Sequence, residues 1–160
     1  MKKNTEINWE VKVEDILKNI KMTEEDFRRS GATSTIHARV LDAVQNEWNK
    51  IKQPVIDERA FQIDFVGRNF PRHGKIELAI EVDTWYKPLG NWVKLLDINA
   101  LAKIWIYICK EKARAQGRYQ EALKEFRKLA EYRKEDKKNN VVIFMKVAGE
   151  SDVKKEWLFK

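Results

Sequence analysis

Phe61 to Cys109 reads FQIDFVGRNFPRHGKIELAIEVDTWYKPLGNWVKLLDINALAKIWIYIC. Two alternating segments flank a connection containing Gly and Pro. A helical pattern follows, then a short apolar run rich in β-branched and aromatic residues. In the second alternating segment Ile76, Leu78, Ile80 and Val82 fall on one face, and Glu77, Ala79, Glu81 and Asp83 on the other. Like charges side by side on a sheet repel. Three acids on one face, with Asp64 on the preceding strand, therefore point to a divalent cation between them.

Working outward, strands are expected at about 55–59, 61–67 and 75–84, the last two joined by a connection that carries Arg68, Arg72 and His73. Asn91 is placed to cap a helix through about Lys103. The run 104–109 is too short and too apolar for anything except a strand buried on both faces, entered by a crossover from that helix. Residues 111–136 carry the clearest helical stripe, Tyr119, Ala122, Leu123, Phe126, Leu129 and Ala130, with a further strand at 141–147.

Upstream, Val13, Ile16, Leu17 and Ile20 outline a short helix, and Thr23 with Asp26 resembles a capping box. A longer helix runs from Thr33 or Ser34 to about Lys52, with Ile36, Val40, Ala43, Val44, Trp48 and Ile51 as its stripe. Glu47 lies near its C-terminal end, where the helix dipole disfavours an acid, so it faces solvent or serves a site. The order gives one α/β (α+β) domain over residues 1–160: a mixed sheet flanked by helices, with an α-β-β-β-α-β core at about 35–110 and a long helix and strand added at 111–160.

The 160 residues carry a formal net charge of +7, which favours polyanionic partners, nucleic acid first. Cys109 is the one cysteine, so a disulfide framework and a cysteine-based zinc cluster are both excluded. No apolar run reaches the ~18 residues of a membrane span, and the charged N-terminal stretch lacks a signal-peptide core. A cytoplasmic protein with no membrane partner is expected. The sequence has no His-Glu-x-x-His pair, no Gly-x-Ser-x-Gly elbow and no Walker-type phosphate loop, which removes zinc hydrolase, serine hydrolase and P-loop ATPase chemistry.

Asp64, then Glu81-Val82-Asp83 on the next strand, then a helix and a buried strand, resembles the core of the PD-(D/E)XK nuclease superfamily. The motif spacing is nearest to type II restriction endonucleases of the BamHI and BglII kind. The resemblance implies a restriction-endonuclease-like fold and a Mg²⁺- or Mn²⁺-dependent endonuclease acting on double-stranded DNA as a homodimer. It makes Asp64 and Glu81 metal ligands, with the Val82 carbonyl as a further one, and puts Glu47 in support from its helix. Two departures stand out: Ile63 rather than Pro precedes Asp64, and Asp83 takes the usual lysine position. Lys94 and Lys87 are the candidates for a displaced lysine.

Arg68, Arg72, His73, Lys75 and Lys87 are candidate nucleic-acid contacts. Trp85, Tyr86 and Trp92 read as core or as a cleft wall against sugar or base. Glu77 is open between pairing with a nearby base and ligating metal. Asp57 and Glu58 are alternative first acids under a shifted strand register. His37 reads as a helix-face histidine, and the positive face of 110–138 as solvated or as a DNA contact. Beside the endonuclease stand a non-catalytic nucleic-acid-binding or scaffold domain of the same fold and a repair or junction-resolving nuclease.

Overall fold

The computed structural model describes residues 7–27, 32–51, 62–68, 75–135 and 137–159, without the side chains of 32–34 and 138. The candidate strand at 55–59, with Asp57 and Glu58, lies outside them, as do Arg72 and His73. Helix α1 spans Trp9–Asn19 and α2 Ala32–Ile51. Strand β1 (Phe65–Arg68) and β2 (Ile76–Asp83) come next, then α3 (Leu89–Asp97), β3 (Ala100–Cys109), α4 (Lys112–Tyr132), β4 (Val142–Val147) and β5 (Val153–Trp157).

The strands lie side by side in chain order. β2, β3 and β4 are parallel, joined through α3 and α4, while β1 and β5 form antiparallel edges. Parallel strands are covered on both faces, and every residue of β2 and β4 is buried accordingly. On one face α1 and α2 pack through Trp9, Val13, Leu17, Ile36, Val40, Val44 and Trp48 against Leu78, Ile80, Val82, Ile104 and Ile106. On the other, Trp92, Leu95, Tyr119, Leu123 and Phe126 of α3 and α4 pack against Ala79, Trp105, Tyr107 and Ile143. Among the described residues the architecture is mixed α/β, a five-stranded sheet between two helical layers.

Aromatic side chains fill both layers. Trp48 stacks on Trp9 at 4.9 Å, and Trp92 on Phe126 at 4.7 Å with Trp105 edge-on to it. Truncating a buried ring of this size costs about 3–5 kcal/mol. Trp48 also explains Gly67: a Cβ there would sit 2.5 Å from two atoms of its indole.

Four expectations need amending. The helix expected at 91–103 is α3, which starts at Leu89 and ends at Asp97; Ala100–Lys103 belong to β3. Lys103 hides the strand because it is buried yet polar, its ammonium donating to the Leu96 carbonyl at the end of α3. Asn91 is not the cap, since Pro88 holds that position. β5 is a half-exposed edge whose Lys154 and Lys155 erase the apolar signal.

Glu77 also leaves the face assigned to it. The β1–β2 ladder runs Gly67–Leu78 and then Arg68–Ile76, which skips Glu77. This bulge turns its side chain toward α1, where Trp9 Nε1 donates to Glu77 Oε1 at 2.9 Å.

Candidate active site

β1 stops at Phe65, which pairs with Ile80, so the Val82 N–H faces a position where the ladder has ended. The side chain of Asp64 supplies the missing acceptor, taking the Val82 N–H on Oδ2 at 2.8 Å. Strand termination thus brings Asp64 beside the C-terminal half of β2. His37, half-buried on α2, sets its Nε2 3.9 Å from the same Asp64 oxygen. Nothing in the sequence marks His37: it depends on how α2 lies across the sheet.

Glu81 is fully buried. Burial is the main force on its carboxyl and the charge of Asp64 the next; with only Lys94 opposing strongly, the group is pushed up to about 9. One of its oxygens, Oε2, is buried without a hydrogen-bond partner. The other lies 3.4 Å from Lys94 Nζ. Lys94 rises from α3 and also donates to the Gln62 carbonyl at 2.9 Å and to Asn91 Oδ1 at 2.8 Å. Gln62 holds a left-handed backbone (φ 56°), a conformation that costs a non-glycine residue about 1–2 kcal/mol.

Asp83 is buried against the Trp92–Trp105 wall. Trp105 Nε1 donates to its Oδ2 at 2.9 Å and Asn91 Nδ2 to its Oδ1 at 2.8 Å. Burial pushes this carboxyl up to about 6 against the pull of those two donors. With both oxygens engaged, Asp83 fixes Asn91, and through Asn91 it fixes Lys94.

Asp64, Glu81 and Lys94 therefore converge from the start of β1, from β2 and from α3. Two close carboxyl groups, one with an orphaned oxygen, suit a hard divalent cation such as Mg²⁺ or Mn²⁺, and Mg²⁺ is commonly held through one or two carboxylates. Among the described residues no group of three or more His, Cys, Asp or Glu side chains gathers as a metal site. Val82 enters this arrangement through its N–H.

The other candidates lie elsewhere. Glu47 bonds Lys12 at 3.0 Å with Lys50 nearby, and the two cations draw its carboxyl down. Arg68 pairs with Ile76 at the far end of β2. At ~3.4 Å per residue that is roughly 17 Å along the strand from Glu81, with Lys75 a step further. Lys87 is ion-paired with Glu121. Trp92 is core, whereas Trp85 is 60% exposed. On α4 and beyond, Lys112, Arg114, Lys128 and Arg133 pair with Glu150, Glu111, Glu125 and Asp97, the pattern of a solvated helix face. A cleft of about 310 Å³ lined by Trp9, Glu77 and Leu101 lies at the opposite end of β2 from these acids.

No protein-family model, no curated protein and no solved structure matches this chain. No helix among the described residues is long and apolar enough to cross a membrane.

Proposed function

We propose that this protein is a Mg²⁺-dependent DNA endonuclease of restriction-endonuclease-like architecture that hydrolyses phosphodiester bonds. The observation that carries the reading is the meeting of Asp64, Glu81 and Lys94 at the open end of the β1–β2 hairpin. An antiparallel strand pair, a crossover helix and a parallel third strand support it; they correspond to the β-β-α-β part of the α-β-β-β-α-β order that the motif resemblance implies.

Asp64 and Glu81 are the residues that would hold the cation. When bound, such an ion supplies positive charge to a phosphoryl oxygen and lowers the pKa of a water. Lys94, steadied by Asn91 and Gln62, presents an ammonium to the attacking water or to the charge that develops on the phosphate. Asp83 acts indirectly, through Asn91. A chain of this size cuts both strands of a duplex most simply as a two-fold homodimer.

The test is cleavage of supercoiled plasmid DNA in Mg²⁺ or Mn²⁺. Asp64→Ala and Glu81→Ala are expected to abolish nicking while the fold and most DNA binding persist. Wild-type activity in either variant would remove the assigned site, and inertness of the unmodified chain with every divalent ion would remove the reaction.

A second reading rests on Lys94 itself. Its ammonium stands 3.4 Å from Glu81 and already puts a positive charge beside the acids without a metal, as suits a non-catalytic nucleic-acid-binding domain of the same fold. Metal titration separates the two: DNA binding retained in EDTA, with no Mg²⁺ or Mn²⁺ uptake, favours the second.

A further inference from the structure

Residues 84–88 join the end of β2, which carries Glu81 and Asp83, to the start of α3, which carries Asn91 and Lys94. Both ends of this loop are pinned to the site by the Asn91–Asp83 and Lys94–Glu81 contacts, 2.8 and 3.4 Å long. The loop therefore forms the lip of the carboxylate cluster. Its side chains are not those of an ordinary surface turn. Trp85 is 60% exposed and Leu89, just beyond, is 57% exposed; of the other tryptophans Trp157 is 39% exposed, and Trp9, Trp48, Trp92 and Trp105 are buried. The indole touches Tyr86 on one side and leaves most of its surface to water.

The surroundings state what kind of partner fits. Tyr86 lies against Trp85 at 5.1 Å between ring centroids. On Tyr86 converge the ammonium of Lys87 at 5.3 Å and the guanidinium of Arg118 at 5.5 Å. Lys87 is held by Glu121 and Tyr86 is partly buried, which leaves the exposed indole of Trp85 with the Arg118 guanidinium close by; an exposed aromatic face near a cation is a surface that unpaired nucleic-acid bases and their phosphates recognise, the base stacking and the backbone meeting the positive charge. Trp85 follows Asp83 by two residues in a bent segment, so the two backbones lie within about 7 Å of each other. That is on the order of two base steps at ~3.4 Å each, so the platform reaches a nucleotide adjoining the scissile phosphate rather than a remote one.

We infer that Trp85 is a stacking platform for an unpaired base next to the cleaved bond, so that the site takes single-stranded or locally opened nucleic acid in preference to intact duplex. This rests on the endonuclease reading for its cleavage consequence, but the binding surface stands apart from the acids. A duplex with all bases stacked offers no free π-face to the indole, whereas a bubble, gap or flap does.

The experiment uses the full chain in EDTA, where hydrolysis is blocked, and fluorescence anisotropy with two labelled oligonucleotides: a blunt duplex, and the same duplex with a short central bubble. The wild type is expected to bind the bubble on the order of tenfold more tightly. Trp85→Ala should erase that preference and leave duplex affinity in place, and Trp85→Phe should keep most of it. A preference that survives in Trp85→Ala, or its absence in the wild type, would overturn the inference. Parallel incubations with Mg²⁺ or Mn²⁺ separate the two claims. A Trp85-dependent preference without cleavage of either oligonucleotide supports the platform and overturns the nuclease. Cleavage that favours neither oligonucleotide, with no binding preference, does the reverse.

Discussion

Lys94 Nζ and Glu81 Oε1 stand 3.4 Å apart, across the gap between α3 and β2. The lysine side chain is 31% exposed and the glutamate 1%. A partly wet cation thus guards a dry acid, and what Lys94 does for stability differs from what it does for chemistry.

Lys94→Met keeps the aliphatic stem and deletes the charge. Because Glu81 is held protonated, deleting the charge strands no buried carboxylate, and the partly exposed head contributes on the order of 1 kcal/mol to folding, so the thermal midpoint should move little. Loss of a positioned proton donor or charge at the reacting group typically lowers turnover by about 10²–10⁴-fold. Single-turnover cleavage set beside thermal denaturation checks the split. A variant that unfolds without a specific loss of rate would make Lys94 a structural residue.

The carboxyls of Glu81 and Asp83 predict an unusual pH dependence. Both are held above their unfolded values, Glu81 from 4.5 to about 9 and Asp83 from 3.8 to about 6. A group of this kind binds its proton more tightly folded than unfolded. Its contribution is complete below the unfolded value and is lost as pH rises through the folded one. From these two groups, stability should fall between about pH 4 and pH 9, with Asp83 acting in the lower part of the window. Glu81→Gln mimics the neutral acid in shape and cannot ionise. It should melt like the wild type near pH 4 and at a clearly higher temperature at pH 9, while losing cleavage. Parallel melting curves for the two proteins across that range would refute the burial assigned to Glu81.

How far these relationships could be read from the chain varies residue by residue. The alternation around Ile76–Asp83 was legible because a strand has period two, and it correctly set Glu81 and Asp83 on one side with Ala79. The bulge that sends Glu77 to Trp9 was not, since the extra residue falls in β2, which holds no Gly or Pro, and Gly67 opposite it is accounted for by Trp48. Leu101 and Ala102 continue the apolar pattern of α3 although they belong to β3; over so few residues a helical and a strand period cannot be told apart. Asn91 has the chemistry of a helix cap, but its amide bridges Asp83 and Lys94, a use that exists only once β2 and α3 have packed. Lys94 could be proposed from its position after the acids; His37 needed α2 in place.

Gly67 offers a test of the packing beneath the site. An added methyl group would meet the Trp48 indole at 2.5 Å, and Trp48 has no room to retreat because it is wedged against Trp9 and Phe65. Gly67→Ala should cost about 1–3 kcal/mol. Trp48→Leu alone leaves a cavity and is also destabilising, but the pair should couple favourably, each change relieving the other. A double-mutant cycle by denaturant unfolding measures this. Strict additivity would mean that the glycine is not there for the ring.

Divalent-ion binding should be linked to proton release at Glu81. Near neutral pH this carboxyl, pushed up to about 9, carries a proton that a cation must displace before the oxygen can ligate. Affinity for Mg²⁺ or Mn²⁺ should therefore rise with pH by up to ~10-fold per unit until about pH 9. Calorimetric titrations in buffers of different ionisation enthalpy should report close to one proton released per ion at pH 7. In Glu81→Gln that proton disappears along with the steep pH dependence. Asp64→Asn should act differently, because it removes the charge that helps hold Glu81 protonated. Its residual binding should be weak, with a pH dependence shifted toward acid. Equal proton release by the wild type and Glu81→Gln would place the exchanging group elsewhere, and pH-independent binding would mean that the ion does not reach Glu81 at all.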